Sequence, residues 1–150
     1  MREEVQVIQK IARQAHHDTR FFKDLNFDRS KCEELYARWI QSDFEAGNVL
    51  GYFPKNREDA GGCITLAMEN PGCMRIGLIA LEGTLRGQGV GSQLLDAALR
   101  TAGEMGAASI RVATQGTNVR ALKSYEKAGF RVRDVKIWFH KRFSNLSRMA

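Results

Sequence analysis

The apolar run Met74–Leu81 is followed at once by Arg86-Gly87-Gln88-Gly89-Val90-Gly91 and then by a stretch with Val90, Leu94, Ala97, Ala98 and Thr101 on one stripe. That periodicity predicts a helix over 89–104. Ser109-Ile110-Arg111-Val112-Ala113 then predicts another strand. Strand, helix, strand in this order requires a right-handed crossover and a locally parallel pair, Met74–Leu81 beside Ser109–Ala113. The glycines let the backbone approach a ligand closely, and the helix behind them adds its partial positive charge. The turn therefore reads as a pyrophosphate cradle, with a plain structural loop as the competing reading. It is not a P-loop, because no Gly-Lys-Ser/Thr follows. It is also a poor dinucleotide fingerprint: Ser92 stands where a third glycine belongs, and the next strand ends in Val112 and Ala113 without a ribose-binding acid.

The remaining elements build around this unit. Val5, Ile8, Ile11, Ala12 and Ala15 predict a helix over 2–17, followed by a loop of aromatic and charged residues up to Asp24. Ser30, with Glu33 three residues on, is the expected capping box of a second helix carrying Leu35, Ile40 and Phe44 and ended by Gly47. Val49–Phe53, Cys63–Met68 and Met74–Leu81 predict an antiparallel meander, with the turn Asn70-Pro71-Gly72 before the third strand. A helix over 117–128 and a strand pair within 130–143 complete the prediction. The fold class is α/β (α+β): a mixed central sheet, antiparallel meander first and one parallel crossover after it, with helices on both faces. With 150 residues and no linker or repeat, residues 1–150 are expected to form a single domain.

Composition narrows the function classes. No apolar run approaches the ~20 residues of a membrane helix, and the opening Met1-Arg2-Glu3-Glu4 has no signal-peptide character. Cys32, Cys63 and Cys73 are odd in number, far apart and without a CxxC pair, so neither a disulfide framework nor a metal site is expected, and a reducing cytoplasm fits. The net charge of +6 is concentrated in residues 131–148, where six cations face Asp134 alone. One basic end segment is a weak nucleic-acid signal, and a solvated strand edge is the preferred reading.

Arg86-x-x-Gly89-x-Gly91 resembles the coenzyme-A signature of the GCN5-related N-acetyltransferases. Downstream, Asn118, Tyr125 seven residues on and the closing Gly129-Phe130 resemble that family's second motif, so that the resemblance covers about residues 45–143. It implies acetyl-CoA as co-substrate and transfer of an acetyl group to a primary amine. The residues it implies for the donor are the strand end Ile79, Ala80 and Leu81 along pantetheine, the loop Arg86, Gly87, Gln88, Gly89, Val90, Gly91 and Ser92 around the pyrophosphate, and Asn118 on the donor arm. Tyr125 is the implied general acid for the departing thiolate.

Segments such as Arg75–Ile79 and Tyr36–Ile40 are similar to family members that acetylate nucleotide-linked amino sugars, which implies a small-molecule acceptor near Arg20, Phe21 and Lys23. Many relatives carry a glutamate before the asparagine, where this chain has Ala113, Thr114 and Gln115, so the amine is expected to lose its proton through ordered water, with Glu69 and Glu82 the nearest candidates for a base; His16 and His17 lie at the acceptor loop. The family's first strand normally precedes the first helix, so that strand is expected to be lost or to belong to an N-terminal portion outside this sequence. A protein or peptide N-acetyltransferase, a non-catalytic acyl-CoA-binding domain and a homodimer all remain open at this level.

Overall fold

The computed structural model describes residues 2–15, 19–139 and 141. The first apolar stripe forms α1 (Arg2–Ala15), which buries Val5, Ile8, Ile11 and Ala12. His16 and His17 lie outside the described residues. A single helical turn, α2 (Arg20–Lys23), stands in the segment expected as a loop. Buried Phe22 anchors it by stacking on Tyr36, with ring centroids 6.2 Å apart.

The next helix, α3 (Arg29–Glu45), is capped by Asp28 rather than Ser30. Asp28 Oδ1 accepts from the backbone N–H of Ser30 at 2.8 Å and of Lys31 at 3.2 Å, and from the Ser30 hydroxyl at 2.6 Å. The helix begins at Arg29, so Ser30 is already inside the first turn, where its oxygen cannot reach forward to the orphan donors. These bonds, the Ser30 hydroxyl first, hold the Asp28 carboxyl below its usual range.

The sheet has the order β1-β2-β3-β4, made of β1 (Val49–Tyr52), β2 (Gly62–Asn70), β3 (Cys73–Leu81) and β4 (Ser109–Val112). The first three strands are antiparallel neighbours, and β4 runs parallel to β3 after the crossover helix α4 (Val90–Glu104). α5 (Val119–Lys127) follows. On one face, α1 and α3 bury Ile8, Ile11, Tyr36 and Ile40 with Cys63, Leu78 and Ala80. On the other, α4 buries Leu94, Leu95 and Ala98 against Ile64, Leu66, Met74 and Ile76. The mixed sheet with helices on both faces is as expected.

One departure concerns the strand pair expected within 130–143, of which residues 140, 142 and 143 lie outside the described residues. Residues 130–139 form no ladder, and Val132, Val135, Ile137, Trp138 and Phe139 are exposed. The stretch Arg131-Val132-Arg133-Asp134 offers a single apolar residue, so its first half has no face to lay against the core.

A second departure shapes the site. Ile64 pairs with Ile79, yet Leu66 pairs with Ile76, so Thr65 of β2 faces both Gly77 and Leu78 of β3. This is a β-bulge. Across it the alternation inverts: Met74 and Ile76 belong to the α4 core, whereas Leu78 and Ala80 belong to the α1/α3 core. The ladder with β4 ends at Ile76, immediately before the bulge. Beyond that residue the two parallel strands have no pairing between them.

Leu95 is 1% exposed in the α4 core. Leu95→Ala is expected to destabilise the fold by about 2–5 kcal/mol, read as a lowered urea midpoint with an unchanged slope.

Candidate active site

The end of β3, Ile79-Ala80-Leu81, pairs with β2 but has no partner on its β4 side, and it runs through a 3-10 turn (Gly83–Leu85) into Arg86 and the start of α4. Gly87 and Gly89 have φ of +82° and +80°, which an L side chain adopts only under strain. A Cβ on either would meet nothing within 4 Å, so these glycines are required by backbone conformation and face open space. Gly89 is the N-cap of α4 and no side chain caps the helix. The first helical bond is from Gln93 N to Gly89 O, at 3.1 Å. The amides of Val90, Gly91 and Ser92 are therefore left without helical acceptors at the positive end of a 15-residue helix. Gly91 lies over the end of β3, where a Cβ would be in ordinary contact with Leu81 Cδ1 at 3.6 Å. The Gln88 side chain donates to Thr84 O at 2.7 Å and the Arg86 guanidinium reaches Leu81 O at 3.4 Å, tying the loop to itself and to the strand end. The room, the donors and the dipole fit a pyrophosphate.

Asn118 is the N-cap of α5, its Oδ1 accepting from Ala121 N at 3.2 Å. The cap uses the oxygen and leaves the side-chain nitrogen as a donor. Two turns later, Tyr125 packs beside Phe130 with ring centroids 5.8 Å apart and joins the rim of the α4 core. Burial alone pushes its phenol pKa up, so the ring stays protonated further into the alkaline range than a free tyrosine.

The expected acceptor residues divide. Lys23 Nζ donates to Thr117 Oγ1 at 3.1 Å, which brings α2 across to the loop immediately before Asn118. Phe21 packs edge-on against Phe27, with centroids 5.7 Å apart, and belongs to the packing of α2. Arg20 opens α2, and its side chain lies outside the described positions.

The two carboxylates nearest in sequence to the strand are both committed elsewhere. Glu69 pairs with Arg111 at 3.3 Å beside the start of β3, a strand length of about 25 Å from Leu81. Glu82 follows Leu81 directly, but both of its oxygens bind the Arg57 guanidinium at 2.8 Å. That bond lowers the Glu82 pKa and raises that of Arg57. Glu82 is thus a strut between the β1–β2 loop and the end of β3. It also borders a cleft of about 380 Å³, with Lys10, Gln14, Arg57 and Asp59 as its other polar lining and Val7 and Ile11 as its apolar part.

Sequence reasoning missed the bulge. Its signal was present: Gly77 interrupts an apolar strand in which even-numbered apolar residues continue on both sides, Met74 and Ile76 before and Leu78 and Ala80 after.

Residues 9–130 match the model of the acetyltransferase (GNAT) family, and the chain belongs to that family. It is 32% identical over 114 residues to the dTDP-fucosamine acetyltransferase of Escherichia coli O6:H1, covering 71% of this chain and 46% of that protein. Among solved structures, the IAA acetyltransferase from Bacillus cereus ATCC 14579 superposes with a TM-score of 0.60 at 26% identity, covering 84% of this chain and 71% of that one. A Bacillus subtilis acetyltransferase solved in complex with CoA superposes with a TM-score of 0.62 at 24% identity, covering 72% and 74%. The chain spans about half the length of the first curated relatives it matches, 46% and 47%.

The Arg57–Glu82 pair has a pH signature. A carboxyl whose pKa is lowered in the folded state stabilises the fold above its unfolded pKa and loses that contribution as pH falls through the folded value. Glu82→Gln is therefore expected to melt below the parent at pH 7, and the two melting curves are expected to converge in acid. Melting temperatures across that pH range check it.

Proposed function

We propose that this chain transfers an acetyl group from acetyl-CoA to a primary amine on a small molecule, an amino sugar carried on a nucleotide. The observation that carries the reading is the uncapped first turn of α4, with Gly87 and Gly89 at positive φ, opening beside the end of β3 that has no partner on its β4 side. Acetyl-CoA supplies the acyl group as an activated thioester. The amides of Val90, Gly91 and Ser92 receive its pyrophosphate, with Arg86 and Gln88 holding the loop. The backbone of Ile79–Leu81 borders pantetheine, and the Asn118 side-chain nitrogen donates to the same arm.

In the transfer, the amine nitrogen bonds to the acyl carbon and the carbon–sulfur bond breaks. Tyr125 gives its proton to the leaving sulfur. A phenol is a weaker acid than a thiol by about 1.5 pKa units, so its proton is available at neutral pH and reaches the sulfur only as thiolate character develops. With Glu69 at the far end of β3 and Glu82 held by Arg57, the amine gives up its proton to water.

Three observations support a nucleotide-linked amino sugar as acceptor. The E. coli relative is by name a dTDP-fucosamine acetyltransferase. Lys23, at the donor side of the acceptor loop, is a cation suited to a diphosphate. The cleft beside Glu82 is lined by Lys10, Gln14 and Asp59, hydrogen-bond donors and acceptors of the kind that sugar hydroxyls and an amine can use. Among the described residues, no helix is long and apolar enough to cross a membrane. Three free buried cysteines accord with a cytoplasmic setting.

Thiol release from acetyl-CoA, followed against a panel of amines, tests the acceptor. Turnover is expected with nucleotide-linked amino sugars. Turnover on peptides alone would replace this acceptor class with a protein substrate. Gly89→Val removes the cradle and is expected to weaken CoA binding by about 10–100-fold in calorimetry, the loss of an amide contact or two to a charged group. Tyr125→Phe is expected to lower kcat by about 10²–10⁴-fold while the KM for acetyl-CoA stays near the parent value. The raised phenol pKa places the parent's alkaline limb above the ordinary tyrosine range, and that limb disappears in the phenylalanine variant.

A further inference from the structure

Thr65 is a buried polar residue, 1% exposed, on the central strand pair. It is the one residue of β2 that faces the two-residue bulge of β3, and its Oγ1 accepts the backbone N–H of Leu78 at 3.0 Å. A bulge interrupts the ladder and leaves a strand amide without its carbonyl; here a side-chain hydroxyl takes the carbonyl's place. Gly77 makes room for it, since a Cβ at Gly77 would lie 2.7 Å from Thr65 Oγ1. The bond sits where β3 inverts its faces and where its pairing with β4 stops, at Ile76. Everything that distinguishes Ile79–Leu81 from an ordinary central strand begins at this contact.

We propose that Thr65 is a positioning residue for acyl transfer: its hydroxyl fixes the bulge of β3 and thereby sets which backbone groups of the following strand end face the acetyl group. This rests on the acetyl-CoA reading above. The pyrophosphate cradle belongs to α4 and its loop, so it holds the far end of the donor whether or not the bulge keeps its shape. Loss of the hydroxyl should accordingly damage the chemical step more than donor binding. An error of about 1 Å in placing a reacting group costs on the order of 10²-fold in rate.

The test compares Thr65→Ser, which keeps the hydroxyl, with Thr65→Val, which keeps the shape and removes it. Two readouts are used: kcat with the best amine of the panel, and calorimetric affinity for acetyl-CoA relative to CoA. The parent is expected to bind acetyl-CoA more tightly than CoA; the valine variant is expected to lose kcat by about 10²-fold, to bind CoA as the parent does, and to lose that preference for acetyl-CoA. The serine variant is expected to restore both. Valine with parental kcat and parental discrimination overturns the proposal, as does serine failing along with valine. If Thr65→Val does not fold, Gly77→Ala displaces the same hydroxyl with a single methyl and is expected to show the same split. Parental values of kcat and of discrimination in a folded Gly77→Ala would overturn the proposal equally. If no amine is turned over by the parent, the proposed function fails, while the discrimination between acetyl-CoA and CoA still decides the role of Thr65.

Discussion

A single hydrogen bond, from the Leu78 amide to the Thr65 hydroxyl, lets β3 place two residues opposite one of β2, between the Ile64–Ile79 and Leu66–Ile76 pairs. A buried backbone amide without an acceptor costs about 1–3 kcal/mol, so an extra residue survives in the middle of a sheet only where something accepts that N–H. Thr65 does so, and three consequences follow from the extra residue. The apolar side chains of β3 divide between two cores, Met74 and Ile76 under α4 and Leu78 and Ala80 under α1 and α3. The parallel ladder with β4 ends at Ile76. The last residues of β3 are then free on one side to border a ligand, which no fully paired central strand can do.

The glycine turn at the start of α4 is local in origin. Gly87 and Gly89 take a left-handed conformation with open space around them, and α4 begins without a side-chain cap. An uncapped helix start forgoes stabilisation that Ser, Asp or Asn at the N-cap would supply. The same vacancy leaves amides and a partial positive charge for an anion. α4 tolerates this because its buried face, with Leu94, Leu95, Ala98 and Ala102, is held by the sheet rather than by its own ends. Around this fixed frame, the neighbouring loops are held by exposed polar ties. Lys23 reaches Thr117 across 94 residues of chain, and Arg57 grips Glu82 across 25. Exposed pairs of this kind contribute little stability each, and their importance is in placing loops.

How much of this could be read beforehand differs from residue to residue. The meander, the crossover and the glycine turn were legible because they are written in short-range patterns: alternation, helical spacing, and glycine where φ is positive. The family motifs, Arg86 to Gly91 and Asn118 to Phe130, were legible for the same reason. The cap of α3 was misread by two residues because Ser30 and Asp28 are both good capping types, and only the point where the helix begins selects between them. Of the strand pair expected within 130–143, the described residues 130–139 form no ladder, because Arg131–Asp134 offers only Val132 to a core. Glu69 and Glu82 stood as equals in the sequence, but three-dimensional placement put one at the far end of β3 and the other against Arg57.

The sequence by itself determined which segments are helix and which strand across most of the chain, the parallel return of β4 and the anion-receptive start of α4, since each depends on residues within a few positions of one another. Only the tertiary structure decided where the sheet opens. The bulge depends on pairing Thr65 with Gly77 and Leu78, and the commitment of Glu82 depends on Arg57, residues brought together by the closing of the β1–β2 and β2–β3 connections. A hydroxyl in β2 has the same composition and the same local periodicity whether it meets an amide or not. The register of the strand beside it, set by burial on both faces of the sheet, decides that it does.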